Sequence, residues 1–190
     1  MTLKDYTDYY TENFIPAYAD AVAILADKPE QLVIEQENSL SHIIAFLKDN
    51  KDIDNLKKAK GHLERATLDA YKMTYVTLKE KINLYTGVDK NNLGIAFNLP
   101  QNEVIDLLKK YDKNVQEARL LEAKNIGKSN DSVIKKYEDS VKIGFKLLDS
   151  VDSEKYGSYK SFNIKYIIKN NIFGFFSGII ASLLVWFFTK

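Results

Sequence analysis

Apolar residues recur at three- and four-residue steps along most of this chain, the spacing that puts them on one face of an α-helix. Leu3, Tyr6, Tyr10 and Phe14 set the first run, and Pro16, which lacks a backbone N–H, is expected to end or kink it. A short helix over 17–26 carries Val22 and Leu25. Asp27-Lys28-Pro29 then breaks the pattern, with Pro29 placed as the first residue of the next helix. That helix extends toward Asp49 with Leu32, Leu40, Ile43, Phe46 and Leu47 apolar, and Asn50-Lys51-Asp52 make a turn.

The longest run begins near Asp54 and continues to Thr86, where Gly87 stops it; at about 1.5 Å per residue it reaches roughly 50 Å. It carries two seams. Leu56, Ala59, Leu63, Ala66, Ala70 and Met73 form the first, which reads as intrachain core; Leu68, Tyr71, Tyr75, Leu78, Ile82 and Tyr85 form the second, open to core or to a subunit contact. Residues 87–99 are rich in Gly and Asn and poor in helix signal, although Ile95 and Phe97 can pack. Helix propensity returns at Pro100 with Val104, Leu108, Tyr111, Val115 and Ala118 on one face, and Gly127 closes it. Asn130 or Asp131 caps the last helix of the body, whose apolar face is Ile134, Tyr137, Val141, Phe145 and Leu148. Residues 151–160 read as a short polar connector. No alternating strand pattern of useful length is present, so the expected fold is all-α, a bundle of about five helices with a C-terminal transmembrane helix.

The transmembrane expectation rests on Ile172 to Phe188, an uncharged run of roughly 17 residues that spans about 25 Å as a helix, near the lower limit for a bilayer core. Lys169 can snorkel at one end, and Trp186, Phe187 and Phe188 place aromatic rings at the other. After Glu154 no acidic residue follows, while Lys155, Lys160, Lys165 and Lys169 approach the membrane, which puts the N-terminal body on the cytoplasmic side. The domains are then a helical bundle over 1–150, a basic juxtamembrane connector over 151–169 and an anchor over 170–190. The N-terminus lacks the basic and apolar regions of a secretory signal.

Composition narrows the function. The 190 residues are 45% hydrophobic and 28% charged, which suits a folded body, and a net charge of +1 supplies no global pull toward nucleic acid. The absence of cysteine removes disulfides, thiolate metal sites and cysteine nucleophiles. There is no phosphate-binding GxxxxGK[ST] loop, no GxGxxG turn, and neither His42 nor His62 lies in HExxH or ExxH. A helical ribonuclease of the HEPN type needs a histidine four to six residues after an arginine; His62 precedes Arg65, and none follows Arg65 or Arg119 at that spacing. The expectation is a protein without catalytic residues, metal ligands or cofactor.

Two sets of residues stand out. On the long helix His62, Arg65 and Asp69 share a face and can pair with one another. With Tyr71 and Lys72, His62 and Arg65 also make a candidate ligand-binding face, since Arg clamps phosphate and Tyr stacks a base. In the anchor, Asn171, Gly174, Gly178 and Ser182 form a stripe of small and polar residues, suited to packing helices or, in an oligomer of four or more, to lining a narrow water path.

A small cytoplasmic helical domain, one span and no catalytic set together resemble the single-span membrane effectors of bacterial anti-phage defence. The resemblance covers the architecture of the whole chain and rests on no motif. It implies a homo-oligomeric pore or channel in the bacterial inner membrane, gated through the helical domain by a nucleotide or oligonucleotide ligand or by a partner protein. The alternative is a tail-anchored adaptor that tethers a protein partner and conducts nothing, with Tyr6, Tyr9, Tyr10 and the second seam of the long helix as its partner surface.

Overall fold

A computed structural model describes residues 1–48, 52–86, 93–124, 130–161 and 164–165. In chain order these form α1 (Leu3–Tyr9), a π-helical segment (Tyr10–Phe14), α2 (Ile15–Leu25), α3 (Glu30–Lys48), α4 (Ile53–Thr86), α5 (Leu93–Ala96), α6 (Gln101–Lys124) and α7 (Asp131–Asp149). The described residues are all-helical apart from one isolated bridge between Phe97 and Val151. Five helices of 11 residues or more (α2, α3, α4, α6 and α7) make the bundle.

The 34-residue α4 is the axis. α2, α3 and α7 pack directly on it, and α6 packs on α7. Both of its seams are core: Leu56, Ala59, Leu63, Ala66 and Ala70 are buried on one, and Leu68, Tyr71, Tyr75, Leu78 and Ile82 on the other. Burial on so many sides also takes Thr67 and Thr74 inside, and each hydroxyl donates to the carbonyl four residues back, at 2.7 and 2.8 Å.

Pro16 does not end the first run. The chain passes from α1 through a π turn into α2, with the Ile15 N–H donating to the Tyr10 carbonyl five residues back. The wider turn accommodates the proline just inside α2, at a point where its missing N–H would otherwise interrupt the ladder. Thr2 starts α1 with a capping box, its hydroxyl accepting from the Asp5 N–H at 3.2 Å while the Asp5 carboxylate accepts from the Thr2 N–H at 2.7 Å. α2 ends at Ala26, which takes the left-handed conformation at φ 56°.

Two helices keep part of their expected apolar face in the core, Leu32 and Phe46 on α3 and Ile134, Tyr137 and Val141 on α7, but are rotated so that small residues join it. α3 buries Leu32, Ser39 and Phe46, and leaves Leu40 and Leu47 exposed. Ser39 lies inside because it is small and fully satisfied, donating to the Ala59 carbonyl at 2.8 Å and meeting the Tyr6 hydroxyl at 2.9 Å. α7 likewise turns Ser140 and Gly144 inward, so that Phe145 and Leu148 are only partly buried. At this crossing the Ser140 hydroxyl donates to the Tyr111 carbonyl and the Tyr111 hydroxyl to the Tyr75 carbonyl, linking α7, α6 and α4. Burial pushes the Tyr111 phenol far above its usual range.

Residues 93–99 hold a single helical turn and then run back against the end of α7. The Asn98 N–H donates to the Ser150 carbonyl at 2.6 Å and the Asp152 N–H to the Ala96 carbonyl at 2.9 Å. The polar connector expected next is in fact helical over 153–161 and docks on the far end of α4. The Tyr156 hydroxyl donates to the Leu84 carbonyl at 2.7 Å, and its ring meets Tyr85 edge-on at 5.0 Å. Among the described residues no helix is long and apolar enough to cross a membrane. The run from Ile172 to Phe188 lies outside the described residues.

The α4–α6–α7 crossing makes a specific prediction. A Cβ at Gly144 would stand 2.8 Å from Tyr111 Cε2 and 2.9 Å from Leu78 Cδ1, both of them buried side chains. Gly144→Ala is expected to cost about 1–3 kcal/mol by overpacking. A Cβ at Gly61 meets nothing within 4 Å, so Gly61→Ala in the same bundle is expected to stabilise by about 0.5–1 kcal/mol. Urea unfolding of the detergent-solubilised chain, followed by circular dichroism, checks both signs.

Candidate functional site

His62, Arg65, Asp69 and Lys72 follow steps of three, four and three along α4 and therefore form one ridge. α3 lies against the first half of that ridge. Glu35 on α3 accepts at its Oε2 from Arg65 Nε at 3.4 Å and lies 2.7 Å from His62 Nδ1. Arg65 also brings a terminal nitrogen to 2.7 Å from the same His62 Nδ1. One ring nitrogen serves only one of these contacts at a time, as donor to Glu35 or as acceptor from Arg65. The His62 ring stacks on His42 at 5.3 Å, and His42 Nδ1 meets Asn55 Oδ1 at 3.0 Å. Glu35 and His62 are mostly buried, with side chains 13% and 18% exposed, and Arg65 closes over them at 54%.

The second half of the ridge belongs to α6 and α7. Lys72 Nζ donates to Glu122 Oε1 at 2.5 Å and sits 5.9 Å from the centre of the Tyr137 ring. With Tyr75, Val76 and Arg119 these residues line an open pocket of about 320 Å³. Glu122 already compensates Lys72 there, so Arg119, which is exposed, supplies the remaining positive charge. Between the two halves stands Asp69. Burial raises its carboxyl above the ordinary value of 3.8, with Lys72 opposing and Glu35 adding to the rise.

The four candidate ligand residues are thus divided. His62 and Arg65 meet at Glu35, Lys72 belongs to a separate pair with Glu122, and Tyr71 is 5% exposed in the core, with no free ring face for a base. Among the described residues no group of three His, Asp or Glu side chains stands together to hold a metal ion. Asn171, Gly174, Gly178 and Ser182 lie outside the described residues.

A larger concavity of about 550 Å³ opens between α1 and α3, with Tyr6 and Tyr10 on one wall and Val33, Gln36, Glu37 and Leu40 on the other. Its two walls are fixed by the Tyr6–Ser39 contact and by Gln36 Nε2 donating to the Tyr10 hydroxyl at 3.0 Å. Two of the N-terminal tyrosines therefore face this groove. Tyr9 instead turns toward α4, where burial pushes its phenol up to about 12 beside Thr67 and the Lys60 ammonium lies 5.1 Å from its ring centre. The α3 wall was missed in the sequence because its exposed leucines read as core. The signal that finds it is a second apolar stripe on α3, one position out of phase with Leu32, Ser39 and Phe46.

No family model matches this chain, and no match is found among curated proteins or solved structures.

Two substitutions separate the ridge's structural pairs from a ligand face. Glu35→Ala strands His62 and Arg65 and is expected to cost about 1–3 kcal/mol, whereas Arg65→Ala, at a half-exposed guanidinium, should cost about 1 kcal/mol or less. Asp69→Asn adds a pH signature. A carboxyl whose folded-state pKa is raised destabilises the fold when ionised. The amide should therefore be the more stable form at pH 7, the gap closing as pH falls through the raised value and vanishing below 3.8. Urea midpoints at pH 7 and pH 3.5 measure it; a gap that stays constant would place Asp69 in solvent.

Proposed function

We propose that this chain is a homo-oligomeric inner-membrane effector of bacterial anti-phage defence, with 172–188 as the membrane-active segment and the helical bundle as its cytoplasmic control domain. The observation that carries the reading is the uncharged run from Ile172 to Phe188, striped by Asn171, Gly174, Gly178 and Ser182 and entered through a lysine-rich stretch. The bundle supplies a mechanical route. α4 is one rigid rod, and from Arg65 to the Tyr156 contact at Leu84 it covers about 29 Å. A displacement of α3 against Arg65 is thereby transmitted to the residues that lead toward the membrane.

The ligand reading changes in kind. A phosphate arriving at His62 and Arg65 must first displace the Glu35 carboxylate, and one arriving at Lys72 must displace Glu122. A contact that moves α3 is the more economical input, because it shifts Glu35 itself. The same observation favours a second reading, a membrane-anchored adaptor, in which the amphipathic α1–α3 groove holds a polypeptide and no ion crosses.

Dye uptake and membrane potential in bacteria expressing the chain separate the two. The full chain should depolarise cells, a form ending at Lys169 should not, and Gly178→Leu at equal membrane level should abolish the effect by holding the backbones apart. Depolarisation that survives Gly178→Leu overturns the role of the stripe. Silence of the full chain, together with retained partner recruitment, selects the adaptor.

A further inference from the structure

α3 carries a second, largely exposed stripe beside its buried one. Val33, Glu37, Leu40, Ile44 and Leu47 are spaced by four, three, four and three residues, the heptad pattern that keeps one line of side chains facing a partner helix. Leu40, Ile44 and Leu47 are 55%, 44% and 60% exposed. The two halves of the seam differ in shape. The half from Val33 to Leu40 is backed by α1 and forms the floor of the 550 Å³ groove, while the half from Ile44 to Leu47 projects beyond it. The groove wall asks for little polar partnering: Thr7 and Thr11 donate their hydroxyls to carbonyls of their own helix, and Tyr6 and Tyr10 are engaged by Ser39 and Gln36.

We infer that this seam pairs with the same seam of a second copy of this chain, antiparallel about a two-fold axis at Leu40. A socket and a plug on one helix are what a two-fold axis requires, since each copy then presents Ile44 and Leu47 to its partner's groove and receives the partner's in return. The spacing fits: about Leu40, Val33 and Leu47 stand seven residues to either side and oppose each other across the pair. The charges fit as well. Glu30 lies in the first turn of α3 and Lys48 in its last, both on one flank of the seam, and antiparallel pairing brings each to the opposite charge of the partner. The acids around the groove, Glu30, Glu37 and Asp8, oppose docking on an anionic bilayer. This inference rests on the homo-oligomeric reading for its partner and adds the face of the bundle through which copies meet.

A chain without cysteine gives a clean background for disulfide mapping. Full-length single-cysteine variants in native membranes, oxidised with copper phenanthroline, distinguish the geometry. Leu40→Cys should form a dimer with itself. Leu47→Cys should not, because Leu47 lies seven residues, about 10.5 Å, from the axis at Leu40, so its two copies stand about 21 Å apart along the pair. Val33→Cys and Leu47→Cys expressed together should cross-link to each other. Leu40→Asp introduced beside that pair should reduce its cross-linked fraction about ten-fold, with helicity unchanged. A Leu40→Cys form that stays monomeric, or Val33→Cys and Leu47→Cys forms that each cross-link to themselves, overturns the antiparallel seam. Depolarisation, measured on the same cells, reports the membrane-effector reading separately, so either can fail alone.

Discussion

The bundle depends on how closely three helices approach α4. A helix surrounded on several sides can be reached only where its neighbours carry small residues, and those residues must leave no polar group unpaired. Gly144 on α7 provides the space, with Leu78 and Tyr111 filling it. Ser140 and Tyr111 then convert the close approach into hydrogen bonds to backbone carbonyls. On the opposite side Ser39 serves α3 in the same way through the Ala59 carbonyl. Each contact is short-ranged, so a displacement that loosens it leaves a buried hydroxyl without its acceptor.

Helix positions were legible in the sequence because Pro29, Gly87 and Pro100 punctuate a strong three-four periodicity; the first seam of α4 is core as expected, and the second, which the sequence left open between core and a subunit contact, is core as well. Helix rotation was less legible. Hydrophobicity ranks Leu40 above Ser39 and Phe145 above Gly144, yet the smaller residue is inside in each case, because distance between axes rather than transfer energy decides the closest contact. The helical form of 153–161 was not legible for a related reason: beside the local bond in which Asp152 accepts the Lys155 N–H, it is docked by Tyr156 reaching Leu84, a contact between positions 72 residues apart.

The candidate site shows the same limit. Charge and spacing correctly gathered His62, Arg65 and Lys72 onto one ridge of α4, but a single helix cannot reveal which acids its neighbours will bring. Glu35 and Glu122 arrive from α3 and α6 and divide the ridge into two pairs. Tyr71, one position from Lys72, is turned by about 100° and so falls in the core. Partly buried pairs of this kind add little net stability, since desolvation offsets attraction, but they penalise any register in which a charge loses its partner. Glu35 therefore fixes where α3 lies along α4.

That register has a consequence for the exposed seam. α3 buries one stripe, Leu32, Ser39 and Phe46, and shows another, Val33, Leu40, Ile44 and Leu47, roughly a third of a turn away. A helix apolar on two faces is stable in a bundle only if the outer face is tolerated in water or covered. Rotating α3 to bury Leu40 would expose Phe46, break the Ser39 bond to Ala59, and pull Glu35 from His62 and Arg65. The inner contacts thus hold the outer leucines in place, and whatever covers them acts on a helix that is already fixed against α4.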